Sequence, residues 1–477
     1  MQALLTILAV AVRVEMCNHL NATSVELYIS QGRISGEQKH TDDGHVYYAF
    51  KGIPYAQPPV GELRFRDPVP LEQWSGVRDG SKSPPKCPQV PFSFNASHEV
   101  EGKEDCLYLN VFTPQFETAS LPVMVLIHGG AFLAGDMAFF HPMPLITRGV
   151  IVVTIHYRLG VLGFLSTEDE VLPGNLGLKD QTLALQWVQN NIMYLGGDPN
   201  RVTIFGGNTG AASVHFQMLT PFAKGLFSRA IMQSGSALAP WAMWRKHKEV
   251  AESIGYMFNC NISTLPDINS AKNSVRLLQC LQKVSIKHLI PAINKFHVFI
   301  NLPLIMTPRV DGNYLPEDPA LLMMKGKFHQ VDIMTGINTH DGAIITQVLY
   351  GIPKERLKFL QNFNTLGPKG VMAFQEGDEF PLFLTHLAFQ CYVGGIHIRE
   401  EDEPSITQLL TDRLFAVSND ETWRLAEMGL TNKSVFSYEF KYRGKHSFHH
   451  ITNFTVKENS EYSTQYTFTF ITVYQQN

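Results

Sequence analysis

The sequence predicts an α/β fold, in which a central, mostly parallel sheet is flanked by helices. Two continuous apolar runs, 123–127 and 151–155, have the composition of strands buried on both faces of a parallel sheet. A helical stretch at 179–192 and a further strand at 202–205 follow them. Strands and helices that alternate in this way are typical of a layered α/β protein.

The other elements follow from local composition. The stretch 179–192 places Ala184, Trp187, Val188 and Ile192 on one face, which predicts an amphipathic helix. A glycine, aspartate and proline cluster predicts a turn between this helix and the next strand. This turn spans 196–200. Further along the chain, the sequence predicts a helical, loop-rich cap region at about 241–303 and strands at 331–335 and 435–440.

Composition indicates a large globular protein. The chain has 477 residues, of which 44% are hydrophobic and 17% charged, so it can bury a sizeable core. Its formal net charge of -4 is close to balanced, which argues against nucleic acid or an acidic membrane surface as a partner.

Neither a cofactor nor a metal ion is expected. Glycine motifs of the Walker type or of the dinucleotide-binding type do not occur. There is no C-x-x-C pair, and the histidines at 446, 449 and 450 have no carboxylate or thiolate at ligand spacing. A solvated loop explains these histidines better.

The first residues predict secretion. The apolar run 4–12 has the size of a signal peptide and is too short to span a bilayer, although no positive charge precedes it. A buried first strand is the alternative. We interpret residues 1–18 as a signal peptide and expect an extracellular glycoprotein without a membrane span. Five glycosylation sequons occur, at Asn21, Asn95, Asn261, Asn432 and Asn453.

The cysteines also favour an oxidising compartment. There are six: Cys17, Cys87, Cys106, Cys260, Cys280 and Cys391. A bond between Cys87 and Cys106 would close one small loop, and a bond between Cys260 and Cys280 another. Such small loops are common in secreted proteins. Cys17 and Cys391 would stay unpaired. Because Cys391 stands in an apolar stretch, we expect it to be a buried free thiol.

The strand at 202–205 leads into the most informative motif, FGGNTGAAS at 205–213. It has the frame of a G-x-S-x-G nucleophile elbow, a sharp strand-to-helix turn that exposes a serine hydroxyl. Gly206 and Gly210 occupy the small positions, but Asn208 stands where the serine should be. A carboxamide has no labile hydroxyl for a base to activate, so it is a poor nucleophile.

The motifs together resemble the type-B carboxylesterase and cholinesterase family of α/β-hydrolases. Blocks similar to those of the family occur in the family's order, at 48–56 (YAFKGIPYA), 59–65 (PVGELRF), 104–110 (EDCLYLN), 157–160 (YRLG), 174–181 (GNLGLKDQ) and 196–200 (GGDPN). A collinear series is far more specific than one motif. The resemblance implies a Cys87–Cys106 disulfide. It also implies one α/β-hydrolase domain over 19–450, incomplete at its C-terminal end, before a divergent tail at 451–477.

The resemblance further implies an oxyanion hole. In the family, a segment like 128–132 (HGGAF) and the residue after the nucleophile supply it, which assigns the backbone N–H groups of Gly129, Gly130 and Thr209. Such donors stabilise a developing negative oxygen. The alternative is that these glycines only let a loop pass close to the elbow, and both interpretations can hold together.

The catalytic triad that the family uses is disrupted here. Asn208 occupies the serine position, and Asp341 in 338–342 (NTHDG) occupies the acid position, where glutamate is usual. The family's histidine lies in an H-G-x-x-L segment that does not occur here, and no histidine follows His450. Thr209 and the serines at 213, 234 and 236 lie near the elbow without an identifiable histidine partner. We therefore regard Asn208 and Asp341 as vestigial positions and expect no functional catalytic residue.

These observations favour a secreted, catalytically inactive carboxylesterase-like protein that acts by binding. Because the family contains inactive adhesion and scaffold members, one expected ligand is a protein partner on the outside of the fold. The other is a hydrophobic, ester-like small molecule held in the cleft. The competing interpretation is a true carboxylic ester hydrolase, which would require Asn208 to be an unusual allele and the sequence to be incomplete at its end.

Overall fold

A computed structural model describes residues 24–91, 99–117, 120–260 and 271–442 of the chain. In these ranges eleven strands form one sheet. They are β1 (Ser24–Ile29), β2 (Gly32–His40), β3 (Val46–Pro54), β4 (Val77–Asp79), β5 (Tyr108–Thr113), β6 (Leu121–Ile127), β7 (Ile151–Ile155), β8 (Gly197–Gly207), β9 (Arg229–Gln233), β10 (Asp332–Asn338) and β11 (Val435–Phe440). Their order is β1-β2-β3-β5-β7-β6-β8-β9-β10-β11, and β4 pairs with β2.

The sheet is antiparallel at one end and parallel from its middle to the other end. The pairs from β1 to β7 along this order are antiparallel, and those from β7 through β6 and β8 to β11 are parallel. All five residues of β7 are buried, as befits a strand covered on both faces. The predicted α/β class and mostly parallel sheet are confirmed.

Helices fill the connections between the parallel strands, as parallel pairing requires. The α-helices of the described residues are α1 (Met143–Ile146), α2 (Gly160–Phe164), α3 (Leu176–Asn191), α4 (Thr209–Leu219), α5 (His247–Met257), α6 (Ala271–Leu281), α7 (Ile286–Leu289), α8 (Pro319–Met324), α9 (Ala343–Gly351), α10 (Pro353–Gln361), α11 (Phe363–Leu366), α12 (Pro381–Val393), α13 (Glu403–Thr411) and α14 (Val417–Gly429). None of them is long and apolar enough to cross a bilayer.

All five predicted strands are present, two of them with the expected bounds, and one predicted turn is wrong in extent. Strands β7 and β11 coincide with their predicted ranges. Strand β8 begins at Gly197, inside the predicted turn at 196–200, because Gly197 already pairs with Leu121 of β6. The turn itself is made by Gly196, whose φ is 85°.

The helix predicted at 179–192 is present as α3, and the face predicted to be apolar (Ala184, Trp187, Val188 and Ile192) is buried, but the buried side is wider than predicted. Asp180, Gln181 and Thr182 are buried together with most apolar residues of the same helix. The polar residues are accommodated because they make internal hydrogen bonds, a possibility that hydrophobic periodicity cannot detect. A second helical region, α9 to α14 between β10 and β11, was not predicted as such.

Both expected disulfides are present. Their Cα atoms are 5.0 Å apart in Cys87–Cys106 and 5.6 Å apart in Cys260–Cys280. Cys391 is free, but the prediction that it is buried is wrong, because it is exposed on α12. This helix buries Phe389, and two residues further on the helix has turned by about 200°, so Cys391 faces outward.

Several predicted features lie outside the described residues. They are the signal peptide at 1–18, Cys17, the sequons at Asn21, Asn95, Asn261 and Asn453, the histidines at 446, 449 and 450, and the tail at 451–477. The remaining sequon asparagine, Asn432, is exposed, with a φ of 59°.

A buried ion pair joins the end of β7 to α3. Arg158 Nε and Nη2 donate to the two carboxylate oxygens of Asp180 at 2.8 and 2.6 Å, and the Arg158 backbone N–H adds a third bond at 3.0 Å. The remaining guanidinium nitrogen, Nη1, donates to the Arg66 carbonyl at 2.7 Å. The two side chains are 3% and 0% exposed, so each charge depends on the other for its compensation.

We expect Asp180→Asn to lower the free energy of unfolding by about 3–5 kcal/mol, because it leaves the Arg158 charge buried without its carboxylate. Urea unfolding measures the change. Asp420→Asn is the matched control, since Asp420 pairs with Arg424 on the surface and such pairs contribute about 0–1 kcal/mol. A similarly small loss in both variants would contradict the structural importance of the buried pair.

Candidate functional site at the elbow

Asn208 lies at the turn between β8 and α4. Its φ of 57° and ψ of -122° are strained for a residue that carries a side chain. The Asn208 N–H donates to the Gln233 carbonyl of β9 at 2.9 Å, and the Asn208 carbonyl accepts from the Ala212 N–H at 3.1 Å. The sharp strand-to-helix turn is therefore present, with Asn208 at its apex.

Two glycines let this turn lie directly against the end of β6. A Cβ atom added at Gly206 would lie 2.5 Å from the Ile127 carbonyl oxygen, and one added at Gly210 would overlap the same oxygen. The neighbouring atoms are backbone, so they cannot swing aside as a flexible side chain could. Close approach of the backbone explains the glycine frame of the motif.

The loop after β6 meets the elbow from the other side. A Cβ atom added at Gly129 would overlap the Gly207 carbonyl oxygen and lie 3.4 Å from Asn208 Cβ. Gly129 therefore lies directly against the elbow. Nearby Gly130 has a φ of 119°, which favours glycine.

This loop has an unusual backbone that is anchored on both sides. Ala131 and Phe132 have φ values of 57° and 58°, in the left-handed region that few non-glycine residues adopt. The Phe132 N–H donates to Thr209 Oγ1 at 3.3 Å, and the Phe132 carbonyl accepts from the Gly160 N–H at 2.7 Å. Residue Thr209 of the elbow thus helps to hold the loop in place.

The N–H groups assigned to an oxyanion hole donate to no described residue. These are the backbone N–H groups of Gly129, Gly130 and Thr209. Thr209 is the first residue of α4, and the first N–H groups of a helix have no hydrogen-bond partner within the helix. Unengaged donors are what an oxyanion hole requires. The arrangement is compatible with that function, which stays a prediction.

Nearby hydroxyl groups are engaged in the structure. Thr209, Ser213 and Ser236 are fully buried. Their hydroxyl oxygens accept hydrogen bonds from the Phe132 N–H, the Gln181 side-chain amide and the Leu238 N–H, respectively. A hydroxyl in such a position is not presented to a substrate at the apex of the turn.

Asp341 is held at the end of β10, next to the elbow. The backbone and side-chain N–H groups of Asn338 donate to its two oxygens at 2.9 and 2.8 Å, and the Ser234 hydroxyl also bonds to it. Burial raises the pKa of the Asp341 carboxyl to about 6, although these bonds act in the opposite direction. Ser234 directly follows Gln233, whose carbonyl binds the Asn208 N–H.

Asn338 was not predicted from the sequence as a partner of Asp341. A detectable signal was available, because an aspartate that follows an asparagine by three residues at a strand end is typical of a side-chain-stabilised turn. The buried Arg158–Asp180 pair was missed as well, although both residues lie in motifs that the analysis recognised.

Two histidines near the elbow are buried and have other contacts. Burial lowers the pKa of His128 to about 4 and that of His215 to about 3, so both are neutral at pH 7. His128 Nδ1 lies 2.9 Å from the Gly129 carbonyl oxygen, and His215 Nδ1 accepts from the Ala237 N–H at 3.2 Å. Within the described ranges, no group of three potential metal ligands occurs.

This fold and elbow define the chain as an α/β-hydrolase of the carboxylesterase type. The sequence profile of the carboxylesterase family matches residues 23–477. The chain is 35% identical to juvenile hormone esterase of Tribolium castaneum over 440 residues, which are 88% of this chain and 73% of that protein. It therefore belongs to the carboxylesterase family.

Two further relatives show the range of this similarity. Venom carboxylesterase-6 of Apis mellifera is 31% identical over 439 residues, which are 87% of this chain and 74% of that protein. Neuroligin-3 of Mus musculus is 37% identical over 339 residues, which are 61% of this chain and 39% of that protein.

We expect Gly210→Ala to destabilise the protein by about 1–3 kcal/mol, because the added methyl group overlaps the Ile127 carbonyl. Helix propensity acts in the opposite direction, since alanine is favoured over glycine by about 1 kcal/mol in a helix. Urea unfolding decides between the two effects. Ala211→Gly, next in the same helix, is the control for losing helix preference together with one buried methyl group. A Gly210→Ala variant more stable than the parent would refute the close contact.

We expect Asp341→Asn to change the pH dependence of stability. The Asp341 carboxyl titrates near pH 6 in the folded protein, against an ordinary value of 3.8, so the folded state binds more protons between these values. The parent should therefore lose roughly 2–3 kcal/mol of stability, relative to the variant, as the pH rises from 4 to 7.

Urea unfolding of both proteins at pH 4, 5, 6 and 7 measures this difference. The exposed Asp420→Asn variant serves as a control and should show no such trend. A parent that gains stability relative to Asp341→Asn as the pH rises would mean that the carboxylate is stabilised in the folded state.

Proposed function

We propose that this protein is a carboxylesterase-family member that binds its ligands without hydrolysing them. The observation that carries the proposal is Asn208, whose carboxamide stands where acyl transfer needs a serine hydroxyl. Loss of the nucleophile in a serine hydrolase lowers kcat by about 10⁶. The hydroxyl groups of Thr209, Ser213 and Ser236 offer no substitute, because they are buried and hydrogen-bonded elsewhere. The hydroxyl of Ser234, which is partly buried, is bonded to Asp341 and has no histidine partner among the described residues.

The geometry at the elbow supports binding of an ester-like small molecule. Asn208 is partly buried and its carboxamide makes no hydrogen bond to a described residue, so it can both donate to and accept from a ligand. The free N–H groups of Gly129, Gly130 and Thr209 could bind the carbonyl oxygen of the same ligand. An ester would then be held in place and would leave intact.

A protein partner on the outside of the fold is the second form of the binding proposal. The relatives include proteins that are named esterases and one that is named a neuroligin, so family membership does not by itself select hydrolysis. We further propose that the protein is secreted. Two disulfides and the exposed position of the sequon residue Asn432 support this location.

We expect no covalent labelling of the protein by a fluorophosphonate probe and no hydrolysis of p-nitrophenyl butyrate above a buffer control. The reason is that a carboxamide cannot form an acyl-enzyme. Juvenile hormone esterase of Tribolium castaneum is a suitable positive control. A phosphonate adduct on any serine or threonine near the elbow would show an enzyme with a displaced nucleophile and would overturn the proposal.

The Asn208→Ser variant tests whether the missing serine hydroxyl is the only obstacle to hydrolysis. We expect this change alone not to restore hydrolysis, because a serine without an imidazole base is barely more nucleophilic than water. Full activity in this variant would show that a competent base is present and that Asn208 alone separates the protein from an esterase.

A further inference from the structure

A cleft beside Pro240 is lined by none of the elbow residues 205–213. It has a volume of about 430 Å³, within the range of small-molecule sites. Pro240, Ala373, Phe374 and Leu384 form its apolar walls, and Arg413 contributes a positive charge. Arg413 belongs to a short π-helical segment, Asp412–Ala416, that joins α13 to α14.

Arg413 has no carboxylate partner among the described residues. Its Nε donates to the Met372 carbonyl at 2.9 Å, and its guanidinium carbon lies 4.7 Å from the centre of the Phe374 ring. The two terminal amino groups donate to no residue that the structure describes. Burial lowers the pKa of this guanidinium, and a partly buried charge without a counter-ion is unfavourable.

The other charged residues of the cleft are either paired or exposed to water. Asp378 accepts from Arg245 Nη1 at 2.6 Å and from the Gln375 N–H at 2.8 Å. The carboxylate of Asp378 interacts electrostatically with Arg413, but its ion pair is with Arg245 and not with Arg413. Glu379 is exposed at the edge of the cleft, where water screens its charge. Arg413 is therefore the cation that lacks a direct partner.

We propose that this cleft binds an apolar monocarboxylate, such as a fatty acid anion, with the carboxylate on Arg413 and the hydrocarbon chain against Phe374 and Leu384. A guanidinium presents parallel N–H groups that match a carboxylate in a bidentate arrangement. A dianion such as a phosphate monoester fits less well, because Arg413 compensates one charge and the nearby carboxylate of Asp378 would repel the second.

The cleft is connected to the elbow through Trp241, the neighbour of Pro240. Trp241 Nε1 donates to the Leu414 carbonyl at 2.8 Å, directly beside Arg413 in sequence. On the elbow side, a Cβ atom added at Gly235 would lie 3.0 Å from the Trp241 ring and 2.5 Å from the Asn208 carbonyl oxygen. The carboxylate site itself involves no residue of the elbow, so it does not depend on whether the elbow is catalytic.

Calorimetric titration of the intact protein with decanoate and with its neutral analogue decanamide tests the proposal. We expect Arg413→Met to weaken decanoate binding by roughly 10- to 100-fold, because a charge-assisted hydrogen bond is lost, and to leave decanamide binding unchanged. Arg424→Met is the matched control, since Arg424 is an exposed arginine on the neighbouring helix, paired with Asp420. Unchanged decanoate affinity in Arg413→Met, or equal loss for both ligands, would overturn the charge assignment.

Because Arg413 also holds the Met372 carbonyl, a second arm uses the unmodified protein. Decanoate that carries a diazirine should crosslink to 373–384 or to Pro240, and excess decanoate should suppress the adduct. Leu384→Trp, which fills the cleft and leaves Arg413 in place, should abolish both the adduct and the calorimetric signal. An adduct confined to the elbow would overturn this proposal and leave the proposed function intact.

Discussion

The close approach between the end of β6 and the first turn of α4 constrains the structure around the candidate site. The Ile127 carbonyl oxygen leaves no room for a side chain at Gly206 or Gly210. Since β6 and β8 pair in parallel, the loop that follows β6 and the turn that follows β8 emerge at the same edge of the sheet. That edge is where α/β proteins place their ligand sites, and here it brings Gly129 against Asn208.

The same constraint explains how the site can keep its shape without its nucleophile. The strained backbone of residue 208 is held by the hydrogen bond to Gln233 and by the helix that begins at Thr209, and neither interaction involves the side chain. Asparagine is also one of the residues that tolerates a positive φ. An asparagine at this position therefore leaves the frame of the elbow in place.

Buried polar contacts between α3 and α4 stabilise the frame of the elbow. The Gln181 side chain of α3 donates to Ser213 of α4, and Gln217 of α4 donates to Gln181 and to the Leu178 carbonyl. The ion pair of Arg158 with Asp180 holds the same helix against the end of β7. Such contacts are costly to leave half-satisfied, so they favour one arrangement of α3, α4 and the sheet.

The sequence by itself determined the class of fold, the parallel core strands, the elbow frame and the replacement of the nucleophile by Asn208. These follow from local information: continuous apolar runs, glycines at fixed spacing and the chemistry of one side chain. The tertiary structure alone decided which polar residues of α3 are buried and that Cys391 faces outward. It also decided the hydrogen bonds of Asp341 with Asn338 and Ser234, and the position of the Arg413 guanidinium beside the Phe374 ring. Each of these depends on which distant segments meet in space, and the pattern of residues along the chain does not encode such contacts locally.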